Sequence, residues 1–233
     1  QWNDAELDRA QSCGDAAVAD AARRQRLGYG HGVGEYLSSA PALHDLWRAQ
    51  QDQSGDEGGH PRAFRVVAAA VDLARIGVEH ADRTLLEAAH ELYDLPSHLH
   101  PEPFDEALSW AARLHEGTCG LLLPITVGGK QGPAGWRPFD YLVDQTDTPV
   151  PDGLWRLALD RADRPETHVA VGLAAYDRGL LDTAETAWTR AAEAGHPGAA
   201  YYLGVLLHEQ KRQDEAESWY RRAVGATGSP RAM

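Results

Sequence analysis

Apolar positions recur at helical spacing along most of this chain, and the period changes once. Over 62–76 (RAFRVVAAAVDLARI), Phe64, Val67, Ala68, Val71 and Ile76 fall near that spacing, and Gly77 stops the run. A second helix is expected over 84–95 (TLLEAAHELYDL), with Thr84 and Glu87 at capping-box spacing and Pro96 as its end. A third is expected over 104–114 (FDEALSWAARL), after Pro103 and before Gly117 and Gly120. Then the pattern shortens. Residues 121–127 (LLLPITV) and 136–143 (WRPFDYLV) are apolar and aromatic, and the turn-rich GGKQGPAG separates them. That predicts two short strands in a hairpin. Upstream, the Ala-rich stretch 4–24 favours helix, and Gly28, Gly30, Gly32 and Gly34 break it. Helix resumes over 35–49 (EYLSSAPALHDLWRA), with Pro41 placed to start it after a short turn. The polar, Gly-rich stretch 50–60 reads as a loop or linker.

Residues 150–233 are helical and repeat. Gly172 aligns with Gly204, Tyr176 with His208, Asp182 with Asp214 and Ala184 with Ala216. Glu185 aligns with Glu217, Trp188 with Tyr220 and Ala191 with Ala223, every pair at an offset of 32. Each unit reads as a helix, a turn and a second helix opened by Asp-x-x-Glu, a capping signal. A helix pair of this length cannot bury its apolar face alone and has to stack on neighbours.

These residues resemble the tetratricopeptide repeat family. Gly172 and Gly204 take the small position where the helices of a pair approach closely, and Ala184 and Ala216 do the same in the second helix. Trp188 and Tyr220 fill the aromatic slot and are expected to pack as core. Gly179 stands at the turn between helices, and Lys211 occupies that place in the second unit. His196 and Pro197 lie near the usual terminal Pro. The offset falls short of the family's usual unit of about 34 residues. The resemblance implies that the first helix of each unit lines a concave surface where partners bind. The matching positions are Tyr176, Asp177, His208 and Glu209. Two readings of those four stand: an ordinary solvated face, or the residues that hold a bound peptide or protein segment.

Three helices followed by a hairpin is the order of a winged helix. The expected architecture is therefore mainly α. A helical segment and linker over 1–58 precedes a small winged-helix-like domain with a β-hairpin over 59–148. An α-solenoid of tetratricopeptide-like helix pairs follows over 149–233. That order resembles the C-terminal half of a STAND-type signalling NTPase, in which a nucleotide-binding domain precedes the winged helix and the repeats sense a ligand or partner. The string RPFDYLVD (137–144) resembles the end of that family's winged helix. A His-Asp pair often follows the last strand there, and the His reaches the nucleotide; here Phe139 replaces the His and Asp140 keeps the Asp. The resemblance implies a sensor or regulatory interaction region. A free-standing scaffold or adaptor is the alternative.

Charge narrows the partners. The 233 residues carry a net charge of −13, against what phosphate contact or an anionic membrane surface requires. Residues 60–146 hold seven Arg/Lys and twelve Asp/Glu, and the third helix carries Asp105 and Glu106 against Arg113. A DNA-binding winged helix is therefore disfavoured. No apolar run is long enough to cross a membrane. Cys13 and Cys119 fit neither a zinc spacing nor a disulfide framework, so a cytosolic, reducing compartment is expected. Few Lys and much Ala, Gly, Asp and Arg suggest a high-GC bacterial gene. Residue 1 is Gln and the single Met is Met233, which reads as a piece of a longer chain.

No constellation of catalytic residues stands out. VGGKQG around Lys130 lacks the first glycine of a phosphate loop, where Pro124 stands, and has Gln131 in place of the Mg²⁺-binding hydroxyl. The glycines at 28–34 follow no strand, so they make no dinucleotide fingerprint. His90, His98, His100 and His115 lack the helical i, i+4 spacing with an acid that zinc enzymes use. There is no Gly-x-Ser-x-Gly elbow. Cys13 sits among acids that raise a thiol pKa, which makes it a poor nucleophile. We expect no catalytic residue, no metal and no cofactor. The expected partner is a protein or peptide on the repeat surface, with neither nucleic acid nor membrane as partner. Any ATPase activity would belong to an upstream domain.

Overall fold

The amphipathic run after residue 60 builds the helix around which the N-terminal part packs. The computed structural model describes residues 8–9, 33–115, 119–126 and 132–227. Most of the helix expected over 4–24, Cys13, the glycines at 28, 30 and 32, and the loop around Lys130 lie outside them. Two units separate. One comprises the described residues within Gln1–Val71 and Asp82–Thr148, the other those within Asp72–Ala81 and Pro149–Met233.

In the first unit, α1 (Val33–Ala49) runs through Pro41 instead of starting at it. Proline removes one helical hydrogen bond. The buried stripe Ala40, Leu43 and Trp47, at helical spacing, holds the helix together across that gap. The Trp47 ring stacks on Phe64 at 5.4 Å, and its Nε1–H donates to the Phe64 carbonyl at 3.0 Å. This docks α1 on α2 (Pro61–Arg75). Along α2, Ala63, Val66, Val67, Ala69, Ala70 and Val71 are all buried, more than one stripe's worth, as befits a central helix.

The start of α2 is satisfied from a distance. The buried carboxylate of Glu102 accepts the backbone N–H of Ala63 at 2.8 Å and of Arg62 at 3.3 Å. These are donors that a helix cannot satisfy internally, at the end where negative charge is favoured. The His60 ring stacks on Trp110 at 4.7 Å, and the His60 backbone N–H donates to Gln50 Oε1 at 3.0 Å. Arg65 is buried and donates through Nε to the Asp94 carbonyl at 2.6 Å. Burial lowers its pKa from the ordinary arginine value.

Helix α3 (Arg83–Ala89) starts two residues earlier than a cap at Thr84 predicts. Asp82, not Thr84, is the cap, its Oδ1 accepting Leu85 N–H at 2.7 Å. The segment ends in a short 3-10 turn, His90–Leu92. After α4 (Phe104–Ala112) come β1 (Leu122–Ile125) and β2 (Gly135–Pro138), antiparallel, with Leu122 opposite Pro138 and Ile125 opposite Gly135. The second strand is shorter than expected. Residues 140–144 form α5 (Asp140–Asp144), not strand. Pro138 has no N–H to extend the ladder. Phe139 N–H turns to the Leu121 carbonyl at 2.9 Å, and Leu142 then buries completely from a helical turn that carries Asp140 in its first turn.

In the second unit, α6 (Asp152–Arg161) buries Leu154, Trp155, Ala158 and Leu159. Two helix pairs follow: α7 (Pro165–Asp177) with α8 (Leu181–Glu193), then α9 (Pro197–Glu209) with α10 (Gln213–Thr227). Each first helix opens on a proline at its first turn, where a missing N–H costs nothing. The three turns between these helices close in the same way. Gly179, Gly195 and Lys211 all have positive φ (74°, 89° and 64°), and each gives its N–H to the carbonyl three residues back. The next N–H bonds back five residues: Leu180 to Ala175, His196 to Ala191 and Arg212 to Leu207, each at 2.9 Å. This is the Schellman closure.

The Asp-x-x-Glu signals act differently from expectation. The cap of α8 is Leu180, with no side-chain bond, and Asp182 lies inside the first turn; Asp214 and Glu215 lie inside the first turn of α10. They favour the positive end of the helix without capping it.

Candidate functional site

The repeat helices meet at their small residues. A Cβ on Gly172 would stand 2.3 Å from Trp188 Nε1, and one on Gly204 would stand 2.6 Å from Tyr220 Cε1. Only glycine permits these approaches, so the pairing of α7 with α8 and of α9 with α10 is written at those two positions. Trp188 is buried at 2% exposure, whereas Tyr220 is half-buried.

Two polar ties join successive pairs. The first lies on the first helices. Tyr176 Oη donates to Glu209 Oε2 at 2.7 Å, joining the C-terminal ends of α7 and α9. The bond to Glu209 raises the Tyr176 pKa, so the hydroxyl stays protonated as a donor. The second lies on the other helices. Arg212, in the turn before α10, donates to Glu185 on α8 at 2.8 and 2.9 Å and to Glu215 at 2.8 Å. The guanidinium holds the Glu215 carboxyl below its ordinary value, and the two carboxylates raise the Arg212 pKa.

Of the four residues singled out by sequence, the structure brings Tyr176 and Glu209 into contact. Asp177 follows Tyr176 at the end of α7, and His208 precedes Glu209 at the end of α9. Asp177, His208 and Glu209 are exposed. The Tyr176 ring also leans on Trp188 at 5.7 Å, and Trp188 stacks on Tyr202 at 5.4 Å. Tyr176 is thus half face and half core.

Sequence reasoning missed the apolar part of this face. Leu173 lies three residues before Tyr176 on α7, and Tyr201 lies eight before Glu209 on α9. They are 37% and 54% exposed. The helical period that aligned the repeats also places them on the stripe of Tyr176 and Glu209. Arg212 was missed because nothing aligned with it: its counterpart one repeat earlier is Leu180.

Among the described residues, no group of three or more His, Cys, Asp or Glu is placed to hold a metal ion. No described helix is long and apolar enough to cross a membrane.

Residues 170–230 match the sequence model of the tetratricopeptide repeat family. That stretch covers α8, α9 and α10 whole, with most of α7, so this part of the chain carries tetratricopeptide repeats. Repeats of this family generally mediate protein–protein interaction. No curated protein matches the chain, and no solved structure does.

Proposed function

We propose that this chain is a non-catalytic interaction and sensor region of a larger bacterial signalling NTPase of the STAND type. Its tetratricopeptide repeats hold a protein or peptide, and the winged-helix-like unit passes the signal on. The observation that carries the binding role is the Tyr176–Glu209 bond, which joins α7 and α9 into one face with Leu173 and Tyr201 exposed on it. The order α2, α3, α4, β1, β2 supports the winged-helix reading.

In this account nucleic acid and membrane are not partners. Supporting this, Arg83 pairs with Asp105 on α4, the helix that would have to enter a DNA groove, so a cation there is already committed to protein. The protein works in the cytoplasm, and any ATPase lies in another segment.

One observation favours the second reading, a free-standing scaffold or adaptor. Phe139 stands where the signalling family often has its nucleotide-reaching His. Here its side chain is buried at 2% exposure.

Two experiments test the proposal. Alanine at Asp177 and His208, both exposed, is expected to weaken capture of the protein's cellular partner without lowering the melting temperature; unchanged capture would place the partner elsewhere. Sequencing the gene on both sides of this segment should reveal Gly-x-x-x-x-Gly-Lys-Ser/Thr upstream and further repeats downstream. A reading frame without a nucleotide site would leave the adaptor reading.

A further inference from the structure

Charge is distributed unevenly over the helix pairs. The first helices, α7 and α9, contain no Arg or Lys; their formal charges are Glu166, Asp177 and Glu209. Arg178, Arg190 and Arg212, the arginines of the neighbouring turns and of α8, are each bonded within the chain. Arg178, next to Asp177, gives its guanidinium to the carbonyls of Ala174 at 2.9 Å and Arg75 at 3.2 Å and lies 5.7 Å from the Trp155 ring. Arg190 is held by Asp160 and the Leu159 carbonyl, and Arg212 by Glu185 and Glu215. Lys211 is exposed in the turn after α9. Asp177 has no Arg or Lys partner among the described residues, and Glu209 accepts only the neutral Tyr176 hydroxyl among the hydrogen bonds there. Two carboxylates, with exposed His208 beside Glu209, therefore stand at one end of a stripe whose exposed apolar members are Leu173 and Tyr201, with Val169 and Val205 half-buried beside them.

An apolar stripe with an anionic end fits a segment of complementary pattern. Large apolar side chains would cover Leu173 and Tyr201, and a neighbouring cation would neutralise Asp177 and Glu209. Arg suits the Tyr201 ring in addition, since guanidinium stacks on aromatic faces. Resting on the reading of this face as the binding surface, we propose that its occupant is a protein segment in which one or two Lys or Arg flank large apolar residues, and not an acidic peptide.

The test is selection of short random peptides displayed on phage against the full chain. Peptides pairing Lys or Arg with Leu, Ile, Phe or Trp are expected to be retained. Their affinity should fall about tenfold in Asp177→Asn with Glu209→Gln, and fall further as salt rises. Asp177→Asn alone leaves the Tyr176–Glu209 bond in place and is expected to give part of that loss, which separates charge from any change of fold. Leu173→Ser should also weaken them. Retained peptides that are acidic or uncharged, and that are lost with Leu173→Ser, would overturn the charge assignment while leaving the face as a binding surface. If no peptide is retained, or retained peptides ignore all of these substitutions, both the assignment and the reading of the face fail.

Discussion

The indole of Trp188 occupies the space that a side chain at Gly172 would need: a Cβ there would lie 2.3 Å from Nε1. One repeat later Gly204 stands against Tyr220 in the same way, at 2.6 Å. The two contacts differ in how far the ring can give. Trp188 is buried, wedged between Tyr176 and Tyr202, while Tyr220 is half-buried. Gly172→Ala is expected to cost about 2–3 kcal/mol through overpacking, and Gly204→Ala about 1 kcal/mol. Urea unfolding of the two variants checks the order; equal costs would mean that the Trp188 ring is not confined.

Lys211 carries a backbone conformation that its counterpart gives to glycine. Its φ is 64°, and Gly179, one repeat earlier, has 74°. A side chain in the left-handed region costs about 1 kcal/mol. Lys211→Gly should therefore stabilise the repeat pair by up to about 1 kcal/mol, and Gly179→Ala should destabilise it by a similar amount. Thermal melts of both read the sign directly.

Glu102 sits far from helix α2 in sequence yet satisfies its first turn. Removing it leaves the N–H groups of Arg62 and Ala63 unpaired in a buried place. It also removes a charge that faces buried Arg65. Glu102→Ala is expected to lower stability by about 2–3 kcal/mol, with Glu102→Gln keeping part of it. Chemical denaturation followed by the near-ultraviolet signal of Trp47 and Trp110 reports on this unit.

Acid should weaken the same unit through His90. Burial pushes its pKa below the ordinary 6.5, helped by nearby Arg62 and opposed by its bond to the Glu87 carbonyl. As pH falls, the unfolded chain takes up this proton first, so stability is lost as pH drops through about 6.5 and levels off only below the folded value. The stability of His90→Gln should vary less over that window. An unchanged slope would assign the acid sensitivity to another group.

What was legible in sequence follows from the kind of signal. The helix pairs were readable because glycine, alanine and aromatics recur at one offset, and the contacts of Gly172 with Trp188 bear out the close approach they imply. The short helix at Asp140–Asp144 was misread as strand because Phe139, Tyr141, Leu142 and Val143 suit either state. What decided it was Pro138 ending the ladder and a long-range bond from Phe139 to Leu121. The Thr84 capping box lost to Asp82 in the same way, since capping spacing permits several starts. The cap supplied by Glu102 and the tie from Arg212 to Glu185 join residues 39 and 27 apart, and no local pattern announces such pairs. At the candidate face, alignment of the repeats found the polar rim but not Leu173 and Tyr201, whose exposure depends on what the neighbouring helices leave uncovered.

The most direct test of the account places a photo-activated crosslinking side chain at Leu173 or Tyr201 on the first helices, and at Thr186 or Ser218 on the second. The full chain is then irradiated with its captured partner. The account predicts adducts from Leu173 and Tyr201 and none above background from Thr186 and Ser218. Adducts confined to the second helices would contradict it and move the binding surface to the opposite side of the repeats.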